Sequence, residues 1–183
     1  MTQPTPILVE LTEPEMYVAR QGANLRYQLA RLSGLVAKTR DDRTPQELEY
    51  LGVCAEMAVS KIFQVDYDPR LMGFDAGVDI WLGNIGIDVK ATFHQHGKLL
   101  FLDADAFKAP VAVLVTATDQ LNVLRVVGCI SKKVYLERCV EFDIGKGKSL
   151  SVSQDELSDL SQLWSASVKD RLNVQKGGLN DPR

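Results

Sequence analysis

Apolar and polar positions along the chain alternate between helical and strand periods. Between residues 13 and 38, apolar side chains recur at Met16, Ala19, Ala23, Leu29, Leu32 and Val36, which predicts a long helix softened at Gly22 and Gly34. A second helix is predicted from Thr44, its N-cap, with Pro45 at the first helical position and Glu47 closing a capping box. The apolar stripe of this helix, Leu48, Leu51, Ala55, Ala58 and Ile62, advances in steps of 3 and 4 residues. Glu56 borders that stripe and should point along the edge of the core.

The segment GVDIWLGNIGIDVKATF holds two alternating runs on either side of Gly83-Asn84, the signature of a tight β-hairpin. A short strand is expected at residues 99–102, followed by a helical turn through Phe107. Residues 111–116 form a β-branched run suited to a strand buried on both faces, and residues 123–130 read as a further strand. Residues 131–149 fit more than one element. A final amphipathic helix is predicted from a Ser153/Glu156 capping box, carrying Leu157, Leu160, Leu163, Trp164, Val168 and Leu172. This pattern predicts one α/β domain over residues 1–175, a mixed central sheet flanked by helices, and a frayed tail at residues 176–183.

At 183 residues, 45% hydrophobic and 25% charged, the chain has enough apolar material to bury a core, which excludes disorder and a disulfide-stapled miniprotein. Its longest apolar run, residues 111–115, is far short of the ~20 residues that cross a bilayer. The first residues lack a basic start followed by an apolar stretch, so the expected location is intracellular and cytoplasmic, away from the membrane. Cys54, Cys129 and Cys139 are odd in number and lack CxxC spacing, which argues against a disulfide framework or a thiolate zinc site.

A net charge of −3 offers no global attraction to nucleic acid, so any such binding must use local basic patches. Between residues 20 and 43 six basic residues face only Asp41 and Asp42. Arg20, Arg31 and Lys38 fall within about 20° of one line on a helix, making them candidates to track a phosphate backbone. Gly147-Lys148-Ser149 resembles the end of a P-loop, but the glycine required at position 142 is Phe142, so no nucleotide-triphosphate site is indicated.

The hairpin carries the candidate chemistry. With Gly83 and Asn84 as the loop, Leu82 faces Ile85 and Asp79 is expected opposite Asp88. Val78, Ile80 and Leu82 should share the core face with Ile85, Ile87, Val89 and Ala91, leaving Asp79, Asp88 and Lys90 on the other. Like charges at ~5 Å across a strand pair are destabilising unless neutralised, and a divalent cation would do so. The register sets Gly77 opposite Lys90, leaving a gap. Two acids, an ammonium and a gap suit Mg²⁺ or Mn²⁺, hard ions that keep waters and accept phosphate oxygens. His94 and His96 extend the Asp88, Lys90, Thr92 face at period two if the strand continues, though Gly97 suggests a loop; Thr92 and His94 are candidate phosphate contacts.

Glu56 on a helix, then Asp79, then Asp88-Val89-Lys90 resembles the PD-(D/E)XK, or restriction-endonuclease-like, nuclease superfamily. The likeness covers residues 45–130; the motif's proline is Val78 here, and eight residues separate the two acids. The resemblance implies an αβββαβ core and a metal-dependent nuclease acting on nucleic acid, with DNA the expected substrate and 5′-phosphates on the products. It implies that Asp79, Asp88 and the Val89 carbonyl bind the metal, that Glu56 holds a metal-bound water or a second ion, and that Lys90 orients or deprotonates the attacking water. A homodimer is compatible with cutting both strands of a duplex. The alternative is a catalytically silent binding or assembly module of the same fold.

Overall fold

A computed structural model of the chain describes residues 4–34, 43–70, 77–143 and 147–165. The N-terminal strand β1 (Ile7–Glu10) leads into α1 (Glu13–Leu32), and α2 (Pro45–Phe63) follows. Both helices start at a threonine cap: the Thr12 and Thr44 hydroxyls accept from the backbone N–H of Glu15 and Glu47, whose carboxylates reach back to the caps. The expected start of the second helix is therefore observed. For the first, the described part ends at Leu32, so the expected extension to Lys38 lies outside the described residues.

The hairpin forms as β2 (Ile80–Leu82) and β3 (Ile85–Thr92), with Leu82 paired to Ile85 and Ile80 to Ile87. Gly83 takes φ 63°, the left-handed value needed at the first position of a type II′ turn. Next come β4 (Leu99–Phe101), β5 (Val111–Ala117), β6 (Val123–Ser131), α3 (Lys132–Arg138), β7 (Val140–Asp143) and β8 (Lys148–Val152). Strands β5 and β6 lie where the sequence places them. Residues 102–106 make bends and a turn in place of the expected helical turn, with the Ala106 N–H donating to Asp103.

Five strands form a mixed sheet in the order β1-β6-β5-β3-β2, in which only β3 and β5 run parallel. Their connection passes through β4, and no helix lies in it among the described residues. A separate antiparallel sheet has the order β4-β8-β7. Each face of the larger sheet buries its own apolar cluster. On one, α1 and α2 supply Ala19, Ala23, Leu51, Ala55 and Val59 against Ile80, Ile87, Val89, Val113 and Val115. On the other, Leu99, Phe101, Phe107 and Tyr135 pack against Ala112, Leu114 and Ile130.

The C-terminal region departs from expectation. The Ser153/Glu156 capping box forms, but it starts only a 3₁₀ turn (Gln154–Glu156). Ser158 then bridges to Cys129 in both directions, at 2.9 and 2.8 Å, which holds the backbone extended and delays the helix to residue 160. Leu160 and Leu163 are buried as expected and Trp164 stacks on Phe63 at 5.7 Å; Val168, Leu172 and the tail lie outside the described residues.

Candidate functional site

The hairpin register holds from Leu82↔Ile85 to Ile80↔Ile87 and then changes. The Asp79 N–H donates to the Ile87 carbonyl at 2.8 Å, although Ile80 is already Ile87's partner. Asp79, just before β2, thus doubles with Ile80 against one residue of β3, the arrangement of a β-bulge. Consequently Val78 packs with the cluster around Phe101 and Leu114, not on the face it was expected to share with Ile80 and Leu82. Asp79 does not face Asp88 squarely across the ladder. Its carboxylate lies at the sheet edge, where Oδ2 accepts the Val89 N–H at 2.6 Å. In a β-strand the N–H and C=O of one residue point to the same side, so the Val89 carbonyl faces the same edge. Gly77 does not leave an open gap: Lys108 packs there, its Cβ 3.1 Å from where a Cβ on Gly77 would stand.

Asp88 is 2% exposed, on the face opposite α2, and its Oδ1 lies 2.5 Å from Lys90 Nζ. Lys90 is also 5.1 Å from the centre of the Phe101 ring, and 40% of its side chain stays open to solvent. The acid is thus buried while its lysine reaches the surface.

Glu56 lies behind this edge on α2, 4% exposed. Arg26 of α1 grips it through both oxygens, Nη1 to Oε1 at 2.7 Å and Nη2 to Oε2 at 2.6 Å. The Tyr67 hydroxyl donates to Oε2 and accepts from Arg26 Nη2 at 2.8 Å. Burial disfavours the Arg26 charge, but Glu56, then Tyr67 and Asp79, hold its pKa above the ordinary arginine value. Burial pushes the Tyr67 hydroxyl well above the usual phenol range, and the charges of Glu56 and Asp79 add to this. Arg26 and Tyr67 therefore feel Asp79 from the helix side of the sheet. Sequence reasoning missed both in this role; the available signal was a buried acid at a helix–core boundary, which demands a cation.

The remaining candidates separate. Lys90, Thr92 and His94 line one groove of about 780 Å³, together with His96, Lys98 and Phe142. The two histidines lie beyond β3, in a turn closed by the Gly97 N–H donating to the His94 carbonyl at 2.8 Å. Arg20 and Arg31 lie on α1, each 5.7 Å from a tyrosine ring, Tyr50 and Tyr27 respectively. Lys38 lies outside the described residues.

Among the described residues no three His, Cys, Asp or Glu side chains gather into a metal-holding group. Any ion here would be held by two carboxylates and main-chain oxygen. The hard oxygen donors nearest this edge are Asp79, through its bond to the Val89 N–H, the Val89 carbonyl, and Asp88, the preceding residue of β3.

Architecture and site together define a mixed α/β domain in which Asp79 meets the edge of β3, Glu56 is paired with Arg26 on the helix side and Asp88 with Lys90 on the other face. Compared with known proteins, the chain matches no family model, and no significant match exists among curated proteins or solved structures. No helix among the described residues is long and apolar enough to cross a membrane.

Proposed function

We propose that the chain is a divalent-metal-dependent nuclease of restriction-endonuclease-like fold that hydrolyses phosphodiester bonds in nucleic acid, with DNA the expected substrate. The observation that carries this reading is the Asp79 carboxylate bound to the amide between Asp88 and Lys90, which sets one acid against the strand that carries the second acid and the lysine. Mg²⁺ or Mn²⁺ held by Asp79, Asp88 and the Val89 carbonyl would lower the pKa of bound water and stabilise charge developing at phosphorus. Lys90, anchored by Asp88 and open to the groove, would orient the attacking water or offer a proton acceptor once its own proton is lost. Glu56 is engaged by Arg26 and Tyr67, so its part is to fix these two beside Asp79.

The test is incubation with Mg²⁺ or Mn²⁺ and a panel of single-stranded, duplex, flapped and four-way DNA. Lys90→Ala should keep metal binding and lose cleavage by a factor of about 10² or more. A second reading, a silent binding module of the same fold, is favoured by the pairing of Glu56 with Arg26 and of Asp88 with Lys90, which balances charge without an ion. On that reading the wild-type protein cuts nothing in the panel.

A further inference from the structure

We propose that the groove beyond Lys90 receives a single strand of nucleic acid, with unstacked bases on its apolar floor and phosphates along its cationic rim. This deepens the nuclease reading and rests on it. The groove exists because β2 is short: it pairs only with residues 85–87, so β3 runs on past it toward Thr92. Leu48 of α2 flanks the space on one side, and Leu100 and Phe142 of the smaller sheet flank it on the other. Lys90 belongs to the lining, so the groove starts at the candidate reaction centre.

Two features select the occupant. The lining contains Lys98, His94 and His96, with Lys90 paired to Asp88 at one end, and no aspartate or glutamate, in a chain whose acids outnumber its lysines and arginines by 24 to 21. That bias complements a polyanion. The rest of the lining, by contrast, is apolar, with Leu48, Phe93, Leu100, Leu114 and Phe142. A duplex keeps its bases stacked inside and presents phosphates and groove edges, leaving such a floor unused, whereas a single strand offers base faces to it.

Two of the lining rings carry cations. The Arg43 guanidinium lies over Phe93 at 4.1 Å from its centre and Lys98 Nζ over Phe142 at 4.5 Å, so each cation covers one ring face and holds positive charge on the apolar lining. The wall is fixed before anything binds: Gln154 Nε2 donates to the Gln95 and Gly97 carbonyls at 2.9 Å each. Of the basic residues of α1, Arg26 is committed to Glu56, and Arg20 and Arg31 lie over Tyr50 and Tyr27.

The experiment is fluorescence anisotropy in EDTA, so that nothing is cut, with a labelled single-stranded oligonucleotide and the duplex of the same sequence. The single strand should bind at least about tenfold more tightly than the duplex. Phe142→Ala should lose about tenfold in single-strand affinity. Lys98→Glu should weaken binding and reduce the salt slope by roughly 0.7 per phosphate contact removed. Lys98 is half-buried in the irregular stretch just before β4, so this variant keeps the test alive where Phe142→Ala fails to fold. Equal affinity for duplex, or wild-type binding by both variants, overturns the proposal. Cleavage in Mg²⁺ that proceeds unchanged in both variants removes the groove and leaves the nuclease. Selective single-strand binding without cleavage under any divalent ion does the reverse.

Discussion

Arg26 closes both oxygens of Glu56 where neither side chain has much access to water, at 20% and 6% exposure. Breaking such a pair from one side strands a buried charge. Arg26→Ala should therefore cost about 3 kcal/mol in urea denaturation, and Arg26→Met with Glu56→Leu should recover part of it. If Arg26→Ala leaves the midpoint unchanged, the pair does not hold α1 to α2. Asp88→Asn, nearly the same size, should keep the fold and abolish Mn²⁺ binding in calorimetry; full retained affinity would remove Asp88 from the site. Glu56's place at the core edge was legible from the helical stripe. Its partners were not: Arg26 and Tyr67 are 30 and 11 residues away in sequence, and periodicity carries no information across such distances.

The helix starts were legible because capping chemistry is local. Glu15 shows what the cap contributes: burial raises its pKa, but bonds from Lys61 and from the Thr12 N–H and hydroxyl outweigh that and hold it below the usual glutamate value. A carboxylate whose pKa is lowered on folding stabilises above its unfolded pKa and loses that contribution as pH falls through the folded value. Thr12→Ala should thus cost about 1 kcal/mol at neutral pH. In urea titrations at about pH 3 the gap between variant and wild type should shrink, as Glu15 takes up its proton. The bulge at Asp79 was invisible in the sequence, because Val78-Asp79-Ile80 reads as unbroken alternation while the backbone bends. β1 was also missed: it has four residues, lies at the sheet edge, and leaves Ile7 and Leu8 exposed, so no alternation betrays it. At Ser153 the cap was read correctly and its product was not, since the bridge from Ser158 to Cys129 is a long-range contact that overrides local preference.

At the scale of the whole molecule, one sheet with an apolar cluster on each face accounts for the unbroken β-branched run of β5. The same burial quiets two thiols. Burial pushes Cys54 and Cys129 up to about 11, while Cys139 is only half-buried. In a thiol–disulfide exchange assay on the native protein at about pH 8, Cys139 alone should react promptly, with Cys54 and Cys129 following on unfolding. Strand order was the least legible level, because neighbours in a sheet are chosen by packing between distant segments. β3, which carries Asp88 and Lys90, lies beside β5, whose first residue is Val111. Until that later stretch has emerged from the ribosome, β3 has only the three-residue β2 beside it. Parallel pairing between segments this far apart is slow relative to hairpin formation, so the far side of β3 is completed late, and a chain truncated before Val111 should leave the amides of residues 88–92 unprotected in hydrogen exchange.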